Sequence, residues 1–126
     1  MNARICLVAA SISGAIAVMM GAFTAHALKD ILSSKLMTVM QTGVQYQFYH
    51  SLALLLVGLL LQQQAAALLK LSATLFLTGI MLFCGSLYLL AFSGVHWLGI
   101  VTPVGGLALI AGWLILAWNF ITLDKK

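Results

Sequence analysis

The stretch QTGVQYQFYHSLALLLVGLLL, residues 41–61, decides the fold. Its second half is almost wholly aliphatic, and no charge interrupts it. A helix of roughly 20 such residues, at about 1.5 Å rise each, crosses a hydrocarbon layer about 30 Å thick. Its first half, however, carries Gln41, Gln45 and Gln47 with a threonine, two tyrosines and His50. If the segment spans a bilayer, those groups must turn toward partners.

The rest of the chain makes the bilayer the only consistent solvent. Of 126 residues 63% are hydrophobic and 6% charged, and the mean hydropathy is +1.14. A soluble domain carries roughly 25% charged residues to cover its surface. The net charge of +4 comes from basic residues scattered at positions 4, 29, 35, 70, 125 and 126. They form no stripe, so nucleic acid is not a partner. Cys6 and Cys84 lie in apolar runs without the spacing of a zinc site or a disulfide framework, and read as small core-filling residues.

The charges divide the chain into four apolar stretches, 5–27, 36–61, 71–92 and 97–123. Inside lipid every backbone polar group must be satisfied within its own segment, and the alternation of barrel strands is absent, so each stretch is a helix. The expected fold is all-α: one domain, 1–126, forming a polytopic four-helix transmembrane bundle. Short connections make sequential helices antiparallel. Both termini then share a side, with Arg4, Lys70, Lys125 and Lys126 against Lys29 and Lys35 opposite. The positive-inside bias puts the termini in the cytoplasm of a bacterium, with the bundle in its inner membrane. MNAR, an apolar run and AFTAHA also resemble the parts of a secretory signal, but that run is longer than the roughly 7–15 residues of a signal core. In the last stretch Thr102 either caps a helix with Pro103 in its first position, which is the preferred reading, or the helix starts near Trp97 and kinks at the proline. Trp97 and, at the opposite boundary, Trp118 with Asn119 mark the interfaces.

Counting back from Gln62 puts the outer hydrocarbon boundary near Thr42 and His50 near the midplane. At about 100° per residue Gln41, Thr42, Gln45, Tyr46, Tyr49 and His50 cover half the helix, opposite Val44 and Phe48, with Gln47 outside the stripe. Unpartnered amides in hydrocarbon cost several kcal/mol, so this stripe is expected to face the other helices, with lipid meeting Val44 and Phe48. Gln45→Leu is then expected to loosen packing by about 1–2 kcal/mol. A small-residue seam of Ala10, Gly14, Ala17 and Gly21 offers the first helix as receiver. Gly105, Ala108 and Gly112 form a second seam, and Gly85 with Ser86 a third contact.

The blocks GAFTAHALK (21–29), QTGVQYQFYHSLALLLVGLL (41–60), FCGSLYLLA (83–91) and WLGIVTPVGGLALIAGW (97–113) resemble, in order, those of the YgdD / transmembrane protein 256 family, also termed domain of unknown function 423. The family's usual first block is GAFGAHAL, where this chain has Thr24. The resemblance implies a small four-helix inner-membrane protein without an established activity, substrate or cofactor. It carries over His26, Gln41, Gln45, Tyr46, His50, Gly85, Ser86, Tyr88, Thr102, Pro103, Gly105 and Gly106, with no roles attached.

Counting from the boundaries separates His26 and His50 by roughly 12 Å along the normal, too far to share a metal or haem iron. Coupled pumping lacks an acidic residue within the spans, and Ser51 or Ser86 has no base and orienting acid beside it. The expectation is a non-enzymatic accessory or scaffold without metal or cofactor, engaging membrane lipids, a membrane-protein partner or a second copy. The alternative is a small transporter or channel for a polar solute along the stripe. The candidate polar cluster comprises His26, Gln41, Thr42, Gln45, Tyr46, Tyr49, His50, Ser86 and Tyr88. The candidate packing positions are Ala10, Gly14, Ala17, Gly21, Gly85, Gly105, Gly106 and Gly112.

Overall fold

A computed structural model describes residues 1–123. It holds four helices long and apolar enough to cross a membrane: α1 (Ala3–His26), α2 (Ser34–Gln63), α3 (Ala67–Ser93) and α4 (Val101–Leu123). The charge argument that used Lys125 and Lys126 falls outside the described residues. Asn2 starts α1 by accepting the Ile5 amide at 2.9 Å, and Ser33 starts α2 by accepting that of Leu36 at 3.3 Å. Each supplies an acceptor to a helix end that has none of its own. Gly94 closes α3 in the left-handed region, φ 69°, where a side chain would be strained.

Sequential helices run antiparallel and pack in chain order: α1 on α2, α2 on α3, and α3 on α4. Among the described residues α1 and α4 do not form a packed pair, so α2 and α3 are central, with one outer helix on each side. Cys6, Leu54, Val57, Leu69 and Phe76 form the core toward the terminal end, and Leu28, Met40 and Ala91 a smaller one toward the 27–33 loop.

The α3–α4 pairing rests on a local change of winding. From Ile80 to Cys84 the third helix takes π geometry, which bends and widens a helix locally. Beside it stands Gly105, where a Cβ would collide with the backbone of Leu82 and Phe83. A Cβ at Gly79 would in turn run into Leu109, and one at Gly112 would lie 2.7 Å from the Phe76 ring. Gly106 is in ordinary contact range of the Phe83 ring at 3.6 Å. Gly85 departs from its expected packing role: nothing lies within 4 Å of a Cβ built there. It borders an open cavity of about 340 Å³ between α1 and α3, opposite Ile12, Ser13 and Ile16. Gly43 and Gly58 were not among the expected packing positions, yet Tyr88 and Leu7 crowd them, each 2.7 Å from a built Cβ.

At the head of α4 a 3₁₀ turn, His96–Ile100, leads directly into the helix, and Pro103 sits within its first turn. Thr102 is not the cap: it is already helical, and its hydroxyl lies 3.4 Å from the Leu98 carbonyl oxygen. The 3₁₀ turn satisfies what a cap would otherwise have to.

Candidate functional site

The buried face of α2 is not the expected stripe. Gln47 is 5% and His50 6% exposed, whereas Tyr46 and Tyr49 are 40% and 54% exposed. Gln41 and Gln45 are also exposed, and Thr42 is half-buried. The inward face follows Gly43, Gln47, His50 and Ser51, Leu54, Val57 and Gly58, and Leu61. On a wheel of about 100° per residue its centre is rotated by roughly 120° from the centre of the polar stripe, so only His50 belongs to both. Small residues admitting close neighbours set this face. Polarity misleads here because Gln41 and Gln45, near the outer end of α2, need no partner inside this chain and are left to what lies outside it.

Gln47 is the hub of the interior. Its Nε2 donates to the Ser13 carbonyl oxygen at 3.1 Å, with Ser13 Oγ at 3.4 Å, and its Oε1 accepts from the Tyr88 hydroxyl at 2.6 Å. Ser51 Oγ lies 2.6 Å from the Gln47 carbonyl oxygen and 2.7 Å from Ser13 Oγ. With a single proton, Ser51 donates to that carbonyl and accepts from Ser13. This network ties α1, α2 and α3 together at one level.

One helical turn further, His50 ties α2 to α4. Trp113 Nε1 donates to His50 Nε2 at 3.0 Å, and His50 Nδ1 lies 2.8 Å from the Tyr46 carbonyl oxygen. Tyr46 stacks on the imidazole at 6.0 Å between centroids, Phe76 lies 5.8 Å from it, and Trp113 meets both Phe76 and His50 edge-on. Tyr46 also contacts Phe83 of α3 at 5.0 Å. Toward the 94–100 connection Ser86 donates to the Phe83 carbonyl oxygen, a group of the π turn, at 2.9 Å. It also lies 2.6 Å from the Thr102 hydroxyl.

Of the expected cluster, His50, Ser86 and Tyr88 therefore reach interior partners. His26 stands exposed at the last turn of α1, apart from the interior cluster. Gln47, Ser13, Ser51 and Trp113 were missed. The signal for Gln47 was the small-residue line through Gly43, Ser51 and Gly58. For Ser13 it was the seam itself, since Ala10 and Ala17 are buried at 3% and 1%, Gly14 faces Ser51 and Gly21 faces Val44.

On the outer side of the α1–α2 pair two adjoining grooves remain open. One, about 440 Å³, is lined by Gly21, Thr24, Ala25, Gln41, Val44 and Gln45. The other, about 450 Å³, runs along Ala17, Val18, Ala22, Phe48 and Tyr49.

The family described as "Protein of unknown function (DUF423)" matches residues 20–106. The UPF0382 inner membrane protein YgdD of Escherichia coli K12 is 39% identical over 126 residues, covering 100% of this chain and 96% of that protein. A UPF0382 membrane protein of Staphylococcus haemolyticus is 44% identical over 109 residues, 83% of this chain and 88% of its own length. One of Haemophilus influenzae is 41% identical over 110 residues, 86% and 87% of the two chains. No solved structure matches.

Proposed function

We propose, from the premise that this chain belongs to the DUF423 family of membrane proteins, that it is a non-enzymatic accessory protein of the bacterial inner membrane. Its α1–α2 face engages a helix of another membrane protein. One observation carries this reading: the carboxamides of Gln41 and Gln45 stand exposed beside a floor of small residues, Gly21, Ala22 and Ala25. Small residues let a partner backbone approach, and a carboxamide beside them can hydrogen-bond across the helix pair. The interior supports the same division of labour, because the buried polar side chains of α2 find their partners on α1, α3 and α4 and tie the four helices together. In this reading both termini face the cytoplasm, the end that carries Arg4 and Lys70.

Passage of a solute along the α2 stripe gains no support from this geometry. Gln47 and His50 are committed to protein partners, and Gln41, Gln45 and Tyr49 lie on the outside, so no chain of free polar groups runs along the bilayer normal.

Photo-crosslinking in cells tests the proposal. A photoreactive residue at Val18, 62% exposed in the groove, is expected to give a protein adduct of defined mass. The same residue at Leu114, 66% exposed on α4, is expected to give lipid adducts. Lipid adducts alone at both positions would overturn it.

A further inference from the structure

Between α1 and α3, away from the α1–α2 grooves and independent of the function proposed for them, the bundle holds a cleft of about 340 Å³. Among the described residues these two helices do not form a packed pair, and α2 lies behind them with Gln47 as the floor of the cleft. Ala9, Ile12, Ser13 and Ile16 form one wall, and the π turn with Gly85 forms the other. Toward the outer end the rings of Phe23 and Phe92, 6.3 Å between centroids, bridge the same two helices. Ile12 and Met81 on the rim are exposed on the outside of the bundle, so the cleft opens sideways into the bilayer.

What can enter follows from the walls. The polar side chains that border the cleft, Ser13, Gln47 and Tyr88, are spent on one another and on Ser51. A water needs about two to four polar partners and gains little there, while an empty cleft would forfeit the dispersion contacts of its lining. From Ala9 to Ile16 the wall runs about 10 Å, at about 1.5 Å per residue. Spread over that length, the volume has a mean cross-section of about 30 Å² and a width of about 6 Å. A helix with its side chains is about 10–12 Å across and is shut out. One unbranched hydrocarbon chain, about 4 Å thick at carbon contact distance, fits, and the methyl branches of an isoprenoid would crowd the walls. Gly85 points to a ligand independently. Glycine within a helix is costlier than alanine, yet nothing in the chain lies within 4 Å of a Cβ built there, so no internal neighbour requires it. It leaves bare backbone on the wall, which a ligand can approach closely, next to a π turn of the kind that recurs at functional sites. We infer that this cleft binds one acyl chain of a membrane phospholipid, laid between α1 and α3 against the π turn and Gly85.

The test uses the full chain in digitonin micelles, whose rigid steroid is wider than the cleft. It is titrated with a phosphatidylethanolamine that carries a diazirine midway along one acyl chain, and after photolysis the adducts are mapped by peptide mass spectrometry. Ile110 of α4 is the control, the same residue type as Ile12 and 56% exposed against 55%. Labelling of Ile12 and Met81 is expected to saturate at a single lipid per chain and to be competed by unlabelled phosphatidylethanolamine, while that of Ile110 rises in proportion to the probe. Gly85→Leu sets a side chain into the open space of the cleft. It is expected to bring the labelling of Ile12 and Met81 down to that of Ile110, with the unfolding midpoint kept. The wild-type titration decides by itself even where the variant does not fold. Proportional labelling at all three residues, competition by a polyprenol as strong as that by the phospholipid, or saturable labelling retained in folded Gly85→Leu would overturn the inference.

Discussion

The indole N–H of Trp113 meets Nε2 of His50 at 3.0 Å, so Nε2 accepts and the imidazole proton sits on Nδ1, where it is donated to the Tyr46 carbonyl oxygen. This fixes one neutral tautomer, and ¹⁵N spectroscopy of labelled histidine is expected to find Nδ1 protonated and Nε2 bare. An even mixture of tautomers would show that Trp113 does not hold the ring. The same accounting separates the glutamines of α2. Gln47 uses both ends of its carboxamide on α1 and α3, whereas Gln45 is exposed. Hydrogen bonds between membrane helices average about 0.6 kcal/mol and reach about 1.7. Gln47→Leu is therefore expected to lower unfolding stability by about 1–2 kcal/mol and Gln45→Leu by less than about 0.5. Reversible unfolding in mixed micelles measures both, and a larger loss for Gln45→Leu would contradict the placement of the two side chains. The Gln45 expectation drawn from the sequence is thus transferred to its neighbour two positions on.

At the scale of the elements, α3 and α4 meet backbone to backbone, and Gly85 of the FCGS block differs sharply from Gly105 of the PVGG block. A side chain at Gly105 collides with the Leu82 and Phe83 backbone, which cannot move aside as a flexible side chain would. Gly105→Ala is expected to cost about 2–3 kcal/mol, the upper range of overpacking. Gly85→Ala, which adds a methyl to open space, is expected to be neutral or to gain up to about 1 kcal/mol from helix propensity. The two variants measured side by side in the same micelles decide the matter, and equal losses would mean that the π turn is not where α4 seats. Helix positions and small-residue seams were legible because hydropathy and residue size are local properties. The π turn was not legible, since no residue of 80–84 announces it.

Across the whole molecule, the row of helices leaves the α1–α2 grooves open, which is where the proposed partner helix would lie. The accessory role proposed above needs no solute path. Liposomes containing the wild-type chain are expected to pass urea or glycerol no faster than empty ones, and flux present in the wild type and lost in His50→Ala would restore the transport reading. Hydropathy and charge placement alone determined that the chain is four membrane-crossing helices joined by short connections, because the transfer of apolar segments out of water depends on composition and length. Which face of α2 turns inward, which glutamine becomes the hub, that Trp113 answers His50 and that a cleft stays open between α1 and α3 were decided only by the tertiary structure. In lipid no hydrophobic drive orients a helix about its own axis. Its rotation is set by where neighbours can approach, and that is a property of pairs of helices, which no single segment contains.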